Sequence, residues 1–275
     1  MTVGIGLLCS DGRDANKILL AADMRASYGT VSSNDQTAKL TELPKFYAAA
    51  LAGKISQCED VIAELHYRME QITEPEIAPE LVRRAISDSY FKVYTEMAEQ
   101  ELRNGPRITL DQFWHDSALV PSVRQAADRI LKLIEVDVSL IVAGFYRNTP
   151  VQFVAEGGAT VDVRAEITPG NAVIGSGQMA ALNWLNYRKQ NWSLGLAQSL
   201  LHLTEAKQFS EVEQTVGPLR QTILLWHGGR KALNWTTEAQ NLLQGWWHKF
   251  GLPLSDGLKD EKYNQNVRDI FGITQ

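Results

Sequence analysis

The chain has 275 residues, of which 44% are hydrophobic and 21% are charged, and these fractions are typical of a soluble globular protein with a sizeable core. The formal net charge of −5 gives no reason to expect nucleic acid or an anionic membrane as a partner. No apolar run approaches the roughly 18 residues that a membrane-spanning helix needs.

The cysteine content and the N-terminal segment bear on the compartment. Two cysteines, Cys9 and Cys58, do not make a disulfide framework in a chain of this length, so a reducing environment is the simpler interpretation. The first residues carry no basic region ahead of their apolar stretch, and they are therefore a poor signal peptide. We expect a cytoplasmic protein.

Strands and helices are predicted in blocks. The predicted strands are short apolar runs between turn-forming residues, and they span 3–8, 18–22, 39–43, 46–52, 136–145, 151–155, 161–167, 172–174 and 221–226. The predicted helices repeat apolar residues every three or four positions, and they span 57–71, 79–103, 123–133, 179–188 and 194–208. Ser56 is expected to cap the first helix, and residues 107–122 are expected to be irregular. This order indicates packed α and β layers and not an alternating parallel sheet.

Thr2 is the first candidate for chemistry. Removal of Met1 would leave a free α-amine and a hydroxyl on this one residue. An α-amine has a pKa near ~7.7–8.0, so a useful fraction is neutral at cellular pH and can accept the hydroxyl proton. Many proteins begin Met-Thr, however, and on its own Thr2 is more simply an ordinary residue of the first strand.

Asp23 and Lys39 form a second candidate group. Asp23 directly follows a predicted strand, and Lys39 lies 16 residues further along. Each alone has a simple structural interpretation, as a turn cap and as a solvated lysine. If the two meet, the lysine charge lowers the pKa of a nearby hydroxyl or amine, and the aspartate keeps the lysine charged and oriented.

Two glycine-containing turns each join a predicted strand to a predicted helix. Gly53 allows close approach of the backbone to a substrate, and its N–H group is placed to stabilise a tetrahedral oxyanion. Ser176 lies in the segment 175–177 (GSG), and no phosphate-binding G-x-x-x-x-G-K-[ST] motif is present. A plain turn fits Gly53 equally well, and a helix cap fits Ser176 equally well.

Together these segments resemble the proteasome β-subunit family and its simpler bacterial relatives. The family pattern is an N-terminal threonine, then A-x-D-x-R-A-[TS]-x-G, a lysine, an Ala-Gly pair and later GSG. In this sequence the pattern is matched by Thr2, residues 21–29 (AADMRASYG), Lys39, residues 52–53 and residues 175–177. The family spacing fits without a gap from the aspartate of the second motif to the Ala-Gly pair.

The resemblance covers residues 2–70 well and 136–226 more loosely. It implies the N-terminal-nucleophile (Ntn) hydrolase fold, an α+β four-layer αββα sandwich, over residues 2–227 with a helical insert at about 104–130. Residues 228–275 lie outside it as a C-terminal extension that is rich in tryptophan.

The resemblance also implies a function, that of a threonine-type amide or peptide hydrolase. Thr2 would be the nucleophile and its own amine the base, and Lys39 and Asp23 would tune it. The Gly53 N–H group would form the oxyanion hole, and Ser176 would assist the amine. The substrate-binding residues implied in this way are Arg25, Ala26, Ser27, Thr37, Leu51 and Ile55. Since much of this lining is apolar, we expect a preference for apolar substrate side chains.

The partners implied by the resemblance are a peptide or protein substrate and further copies of the chain, assembled as rings or stacked rings. A separate ATP-dependent unfoldase would be needed to feed folded substrates, because the chain has no nucleotide-binding motif of its own. No cofactor is expected, and no metal-ligand spacing is found.

One segment departs from the family pattern. Active members usually carry Asp-x-x-Ser-Gly beside the N-terminus, whereas residues 213–217 read E-Q-T-V-G, with Glu213 for the aspartate and Val216 for the serine. The longer Glu213 side chain is still expected to support the site, but the hydroxyl is missing. A catalytically inactive assembly subunit is therefore the alternative. A third interpretation, catalysis or metal binding by Cys58 or a histidine, has no supporting motif.

Overall fold

The computed structural model describes residues 2–10, 16–24, 26–28, 31–34, 38–158, 160–165, 170–211, 216 and 220–234. The strands are β1 (Val3–Ser10), β2 (Asn16–Asp23), β3 (Ala26–Tyr28), β4 (Val31–Asn34), β5 (Leu40–Leu43), β6 (Tyr47–Gly53), β7 (Val138–Tyr146), β8 (Thr149–Glu156), β9 (Asp162–Ala165), β10 (Asn171–Gly175), β11 (Arg220–Trp226) and β12 (Gly229–Asn234). The helices are α1 (Ile55–Gln71), α2 (Pro79–Asn104), α3 (Leu110–His115), α4 (Pro121–Leu131), α5 (Gln178–Tyr187) and α6 (Leu196–Ser210).

Two five-stranded antiparallel sheets form the frame of the molecule. The first sheet has the strand order β10-β1-β2-β11-β12, and the second has the order β5-β6-β7-β8-β9. Strands β3 and β4 pair with each other in a separate antiparallel ribbon. Pairing of β1 with β2 places Gly4 opposite Ala22, so the start of β1 lies beside the end of β2.

The first sheet is covered on both faces, which explains the near-continuous apolar character of its central strands. On β1, Val3, Ile5 and Leu7 belong to a core shared with α5 and α6, whereas Leu8 belongs to a core between the two sheets. Side chains alternate between the two faces of a strand, so β1 is buried from both sides. The sequence of β1 therefore shows no alternation of apolar and polar residues, and only its apolar run predicts a strand.

The outer face of the second sheet is covered by α1 and α2. Leu65 of α1 and Tyr90 of α2 share a core with Leu140 and Phe153 of the sheet. The buried Tyr90 hydroxyl donates to the Val138 carbonyl oxygen at 3.1 Å, so the burial of this ring leaves no unmet hydrogen bond. Helices and antiparallel sheets thus form separate packed layers, and the α+β class is confirmed.

The segment after α2 contains one more helix than predicted. Helices α3 and α4 pack on the end of α2 through a small core of their own that includes Leu102, Phe113 and Ala127. Residues 107–122 were expected to be irregular, but α3 begins there with Thr109 as its capping residue. The Thr109 side chain accepts from the Gln112 N–H group, and the Gln112 side chain accepts from the Thr109 N–H group. This Thr-x-x-Gln capping box was readable in the sequence.

Two other details differ from the predictions. Helix α1 begins at Ile55 with Lys54 as its capping residue and no side-chain cap, so the expected Ser56 cap is wrong. The first sheet also continues through β12, a strand that was not predicted and that pairs with β11 across a tight turn. Within the described part of the chain, none of the helices combines the length and apolarity that a bilayer crossing requires.

Candidate active site

The described site begins where β1 starts and β2 ends. Thr2 directly precedes β1, and Asp23 is the last residue of β2. Antiparallel pairing brings these two chain ends together, and Asp23 Oδ1 accepts a hydrogen bond from the Val3 N–H group at 3.0 Å. Both residues are buried, with exposed fractions of 2% for Thr2 and 0% for Asp23. The first sheet therefore supplies a buried hydroxyl next to a buried carboxylate.

Lys39 comes from the second sheet and completes the group. It directly precedes β5, and its carbonyl oxygen accepts from the Leu51 N–H group of β6 at 2.9 Å. Its side chain crosses to the first sheet, where Nζ lies 3.2 Å from each carboxylate oxygen of Asp23 and donates a hydrogen bond to Thr2 Oγ1. Because Lys39 is only 7% exposed, its charge depends on the Asp23 carboxylate for compensation.

The GSG turn holds the backbone of Thr2. Gly175 has a φ of +89°, and a Cβ atom there would lie 2.1 Å from the Thr2 carbonyl oxygen. That oxygen accepts from the Ser176 hydroxyl and from the Gly177 N–H group, each at 3.4 Å. The capping residue of α5 is Gly177, so the helix-cap interpretation of Ser176 is wrong. The expected contact of Ser176 with the N-terminal amine stays a prediction.

Gly175→Ala is expected to destabilise the protein by about 1–3 kcal/mol and to displace Thr2, because the new side chain is strained at positive φ and meets the Thr2 carbonyl oxygen. Chemical denaturation measures the free energy of unfolding. Gly195→Ala is the matched control, since a Cβ atom at Gly195 meets nothing within 4 Å and its φ is −66°. Equal stability of the two variants would contradict the close approach at Gly175.

Gly53 is the last residue of β6 and lies next to the site. Its φ is +124°, and a Cβ atom there would lie 2.1 Å from the Asp137 carbonyl oxygen. The Leu51 N–H group points toward Lys39 and the Lys54 N–H group toward Asp137, at 2.9 and 2.8 Å from their acceptors. Since N–H groups alternate along a strand, the Gly53 N–H group points to the Lys39 side.

A pocket of about 220 Å³ opens beside Thr2. Its described lining combines the reactive group with mostly apolar side chains and consists of Thr2, Ala38, Lys39, Leu40, Thr41, Leu51, Ala52, Gly53, Ile55, Cys58, Glu59 and Ile62. Leu51 and Ile55 are two of the predicted substrate-binding residues. Glu59, which is exposed, adds the one carboxylate of the described lining.

The surroundings of Cys58 are unfavourable for a nucleophile. Its thiol is buried and lies 3.7 Å from the Ala52 carbonyl oxygen. Burial and, to a smaller extent, the nearby Asp137 carboxylate raise the pKa of Cys58 to about 12, so the thiolate is scarce at neutral pH. Among the described residues, no group of three or more histidine, cysteine and acidic side chains is placed to hold a metal ion. The third interpretation of the sequence finds no support here.

The other predicted site residues are placed only in part. Ala26 and Ser27 belong to β3, whereas Arg25, Thr37 and Glu213 lie outside the described residues. Val216, which was predicted to depart from the pattern of the resembling family, is buried. Its Cγ2 atom lies 3.1 Å from where a Gly177 Cβ atom would stand, so an apolar side chain packs against the turn that holds Thr2.

One residue of the site was not predicted. Gln221 of β11 accepts hydrogen bonds at its Oε1 atom from the N–H groups of Lys39 and Leu40, at 3.2 and 3.3 Å. The available signal was weak: a glutamine at a strand position that shares its face with the apolar Ile223 and Leu225. Such a break in an apolar face indicates a polar partner but does not say which one.

Comparisons with known proteins concern the fold. No protein-family model matches the chain, and a search of curated proteins finds no match. The solved structure of an Anbu (Gly-1) mutant from Hyphomicrobium sp. strain MC1 is similar to this chain, with a TM-score of 0.59 and 14% sequence identity. The match covers 90% of this chain and 96% of the Anbu chain. This likeness supports a proteasome-like Ntn fold.

Proposed function

We propose that the protein hydrolyses amide bonds with Thr2 as an N-terminal nucleophile, once Met1 has been removed. The observation that carries the proposal is the hydrogen bond from Lys39 to the Thr2 hydroxyl, with Asp23 holding the same ammonium group on its other side. The buried Thr2 hydroxyl contacts a buried cation at the wall of an open pocket. For packing alone, an apolar side chain of similar size would serve as well. Contact of a hydroxyl with a cation is the arrangement that activates a nucleophile.

The reaction begins with proton transfer from the Thr2 hydroxyl to its own α-amine. Thr2 Oγ1 then attacks the carbonyl carbon of the substrate, while the Lys39 ammonium group lowers the cost of negative charge on Oγ1. The Gly53 N–H group donates to the oxyanion of the tetrahedral intermediate. On collapse, the C–N bond breaks, the α-ammonium gives its proton to the leaving nitrogen, and an ester remains on Oγ1. Water hydrolyses this ester by the same route and restores the hydroxyl.

The roles of Ser176 and Glu213 in this proposal are supportive. The Ser176 hydroxyl, which already contacts the Thr2 carbonyl oxygen, assists the amine. Glu213 supports the N-terminus in place of the family aspartate. The substrate is a peptide or protein chain, bound by Arg25, Ala26, Ser27, Thr37, Leu51 and Ile55. The apolar lining of the pocket favours apolar side chains next to the scissile bond.

The proposed architecture is the four-layer αββα sandwich. Its support is the presence of three cores, one between the sheets and one under each helical layer. Residues 2–227 form the Ntn domain with the helical insert at about 104–130, and residues 228–275 form an extension that begins with β12 paired to the first sheet of the domain. We also propose a cytoplasmic protein that self-associates into rings or stacked rings, fed by a separate ATP-dependent unfoldase and without nucleic-acid or membrane partners.

A non-catalytic assembly subunit is the second candidate. Val216 motivates it, because a buried valine cannot supply the hydroxyl that active family members place beside the N-terminus. A retained Met1 would have the same consequence, since the amine of Thr2 would then be part of a peptide bond and unable to act as a base.

Intact mass and covalent labelling test the proposal together. The purified protein is expected to have lost the mass of Met1, and a threonine-directed electrophile such as a β-lactone is expected to add one adduct per chain, located at Thr2 by peptide mapping. Retention of Met1, or loss of Met1 without any adduct at Thr2, would favour the non-catalytic candidate.

A further inference from the structure

Gln221 connects the two sheets by hydrogen bonds beside the group formed by Thr2, Asp23 and Lys39. It lies on β11 of the first sheet, directly opposite Ala22 and next to the register position of Asp23. The side chains of β11 that share its face, Ile223 and Leu225, belong to the core between the sheets. Gln221 therefore points from the first sheet toward the second, at the end of that core.

The partners of Gln221 are the main chain that carries Lys39. Its Oε1 atom accepts from the N–H groups of both Lys39 and Leu40, at 3.2 and 3.3 Å. Two backbone donors on one atom also establish which end of the amide is the oxygen, since its NH₂ group cannot accept from them. The Lys39 carbonyl oxygen is bound by Leu51 of β6, so the main chain of Lys39 is held by both sheets.

This arrangement matters because the reactive group is divided between the sheets. Thr2 directly precedes β1 of the first sheet and Asp23 ends β2 of the same sheet, whereas Lys39 reaches them from its place directly before β5, the edge strand of the second sheet. The position of Nζ relative to Thr2 Oγ1 is then set by how the two sheets are held at this end. Gln221 lies on β11, the strand next to Asp23, and it binds the main chain of Lys39, whose side chain must reach Asp23.

We propose that Gln221 is a positioning residue for Thr2 chemistry: it holds the Lys39 main chain on the first sheet so that the lysine ammonium meets the Thr2 hydroxyl. The catalytic part of this inference rests on the proposed function, whereas the hold on the Lys39 main chain does not. Gln221 is not itself among the described residues that line the pocket. It contacts two residues that are, Lys39 and Leu40, through their N–H groups, and it acts on the chemistry through Lys39.

Gln221→Met is the test variant, because it keeps the length of the side chain and removes the acceptor oxygen. Residue-resolved amide hydrogen exchange is expected to show at least about tenfold faster exchange at Lys39 and Leu40. The maximal rate of Thr2 acylation by a β-lactone is expected to fall about 10- to 100-fold with little change in reagent affinity, since a misplaced activating group costs rate and not binding. Gln221→Glu keeps an acceptor oxygen, so this variant is expected to retain the slow amide exchange and the acylation rate of the wild type.

Gln100→Met is the matched control, because it makes the same change on an exposed position of α2. It is expected to behave as the wild type does. Unchanged exchange at Lys39 and Leu40 in Gln221→Met would overturn the inference, and so would faster exchange without slower acylation. If the wild-type protein is not acylated at all, the proposed function fails, and the exchange result still decides whether Gln221 holds Lys39. If Gln221→Met does not fold, amide exchange is compared between Gln221→Glu and the wild type. Faster exchange at Lys39 and Leu40 in Gln221→Glu would then contradict the inference.

Discussion

Replacing Thr2 with alanine is expected to abolish covalent labelling by threonine-directed electrophiles and to lower amide hydrolysis by at least about 10³-fold. Alanine removes the only atom that can form the ester, so no conformational adjustment can substitute for it. The change keeps a small residue after Met1, and the α-amine remains available for exposure. What is lost is the hydroxyl alone, and turnover by peptide cleavage measures that loss directly.

The same substitution is expected to leave the fold intact. Lys39 retains both contacts with Asp23 at 3.2 Å, and the turn at 175–177 binds the backbone of residue 2, not its side chain. We expect the unfolding midpoint to change little. Thr2→Ser is the control for chemistry, because it keeps a hydroxyl at the same position and should retain labelling. Equal hydrolysis by wild type and Thr2→Ala would place any activity elsewhere and would contradict the mechanism.

The sequence predicted which residues meet at the site better than it predicted their surroundings. Asp23, Lys39 and Gly53 each had a simpler structural interpretation, and their ungapped spacing outweighed it. The structure now places the Lys39 ammonium between Thr2 and Asp23, and the alternation of N–H groups along β6 points the Gly53 N–H group to the same side. Contact between residues distant in sequence is a tertiary event, so spacing alone could indicate it only through a known family pattern.

Two elements that were not predicted have local signals in the sequence. The Thr109-x-x-Gln112 box identifies the start of α3, and Gly228 and Gly229 mark the turn that leads into β12. The strand β12 was not predicted because its sequence, with Arg230 and Lys231 near its start, has the polar character of an exposed loop. An outermost strand needs no apolar run, since its partner strand supplies the hydrogen bonds that hold it.

Gln221 was beyond the reach of sequence reasoning for a different reason. A glutamine on a strand gives the same local sequence signal whatever its partner is. Its function here depends on which chain segment of the second sheet lies opposite it. Only the packing of β11 against the start of β5 gives it the N–H groups of Lys39 and Leu40 as partners. Side chains that hold the main chain of a reactive residue carry no motif, because their partner is a backbone group that every residue has.

The buried pair of Lys39 and Asp23 is also expected to dominate the stability of this end of the molecule. Lys39→Met is expected to lower the free energy of unfolding by about 3–5 kcal/mol, because it removes the cation from a carboxylate that is 0% exposed. It is expected to slow Thr2 acylation by about 10²–10³-fold, since Oγ1 loses the positive charge that favours its ionised form. Chemical denaturation and labelling kinetics measure the two effects separately.

A second substitution distinguishes lost charge compensation from lost packing. Asp23→Asn in the Lys39→Met background removes the uncompensated charge, so the double variant is expected to be more stable than Lys39→Met while remaining unreactive. Lys132→Met is the matched control: Lys132 pairs with Asp128 at 2.7 Å, but the two side chains are 73% and 48% exposed, and such a pair contributes at most about 1 kcal/mol. If Lys39→Met costs no more than Lys132→Met, the Lys39–Asp23 pair is effectively solvated. The lysine would then lack the low-dielectric surroundings that its action on Thr2 requires, and the non-catalytic candidate would be favoured.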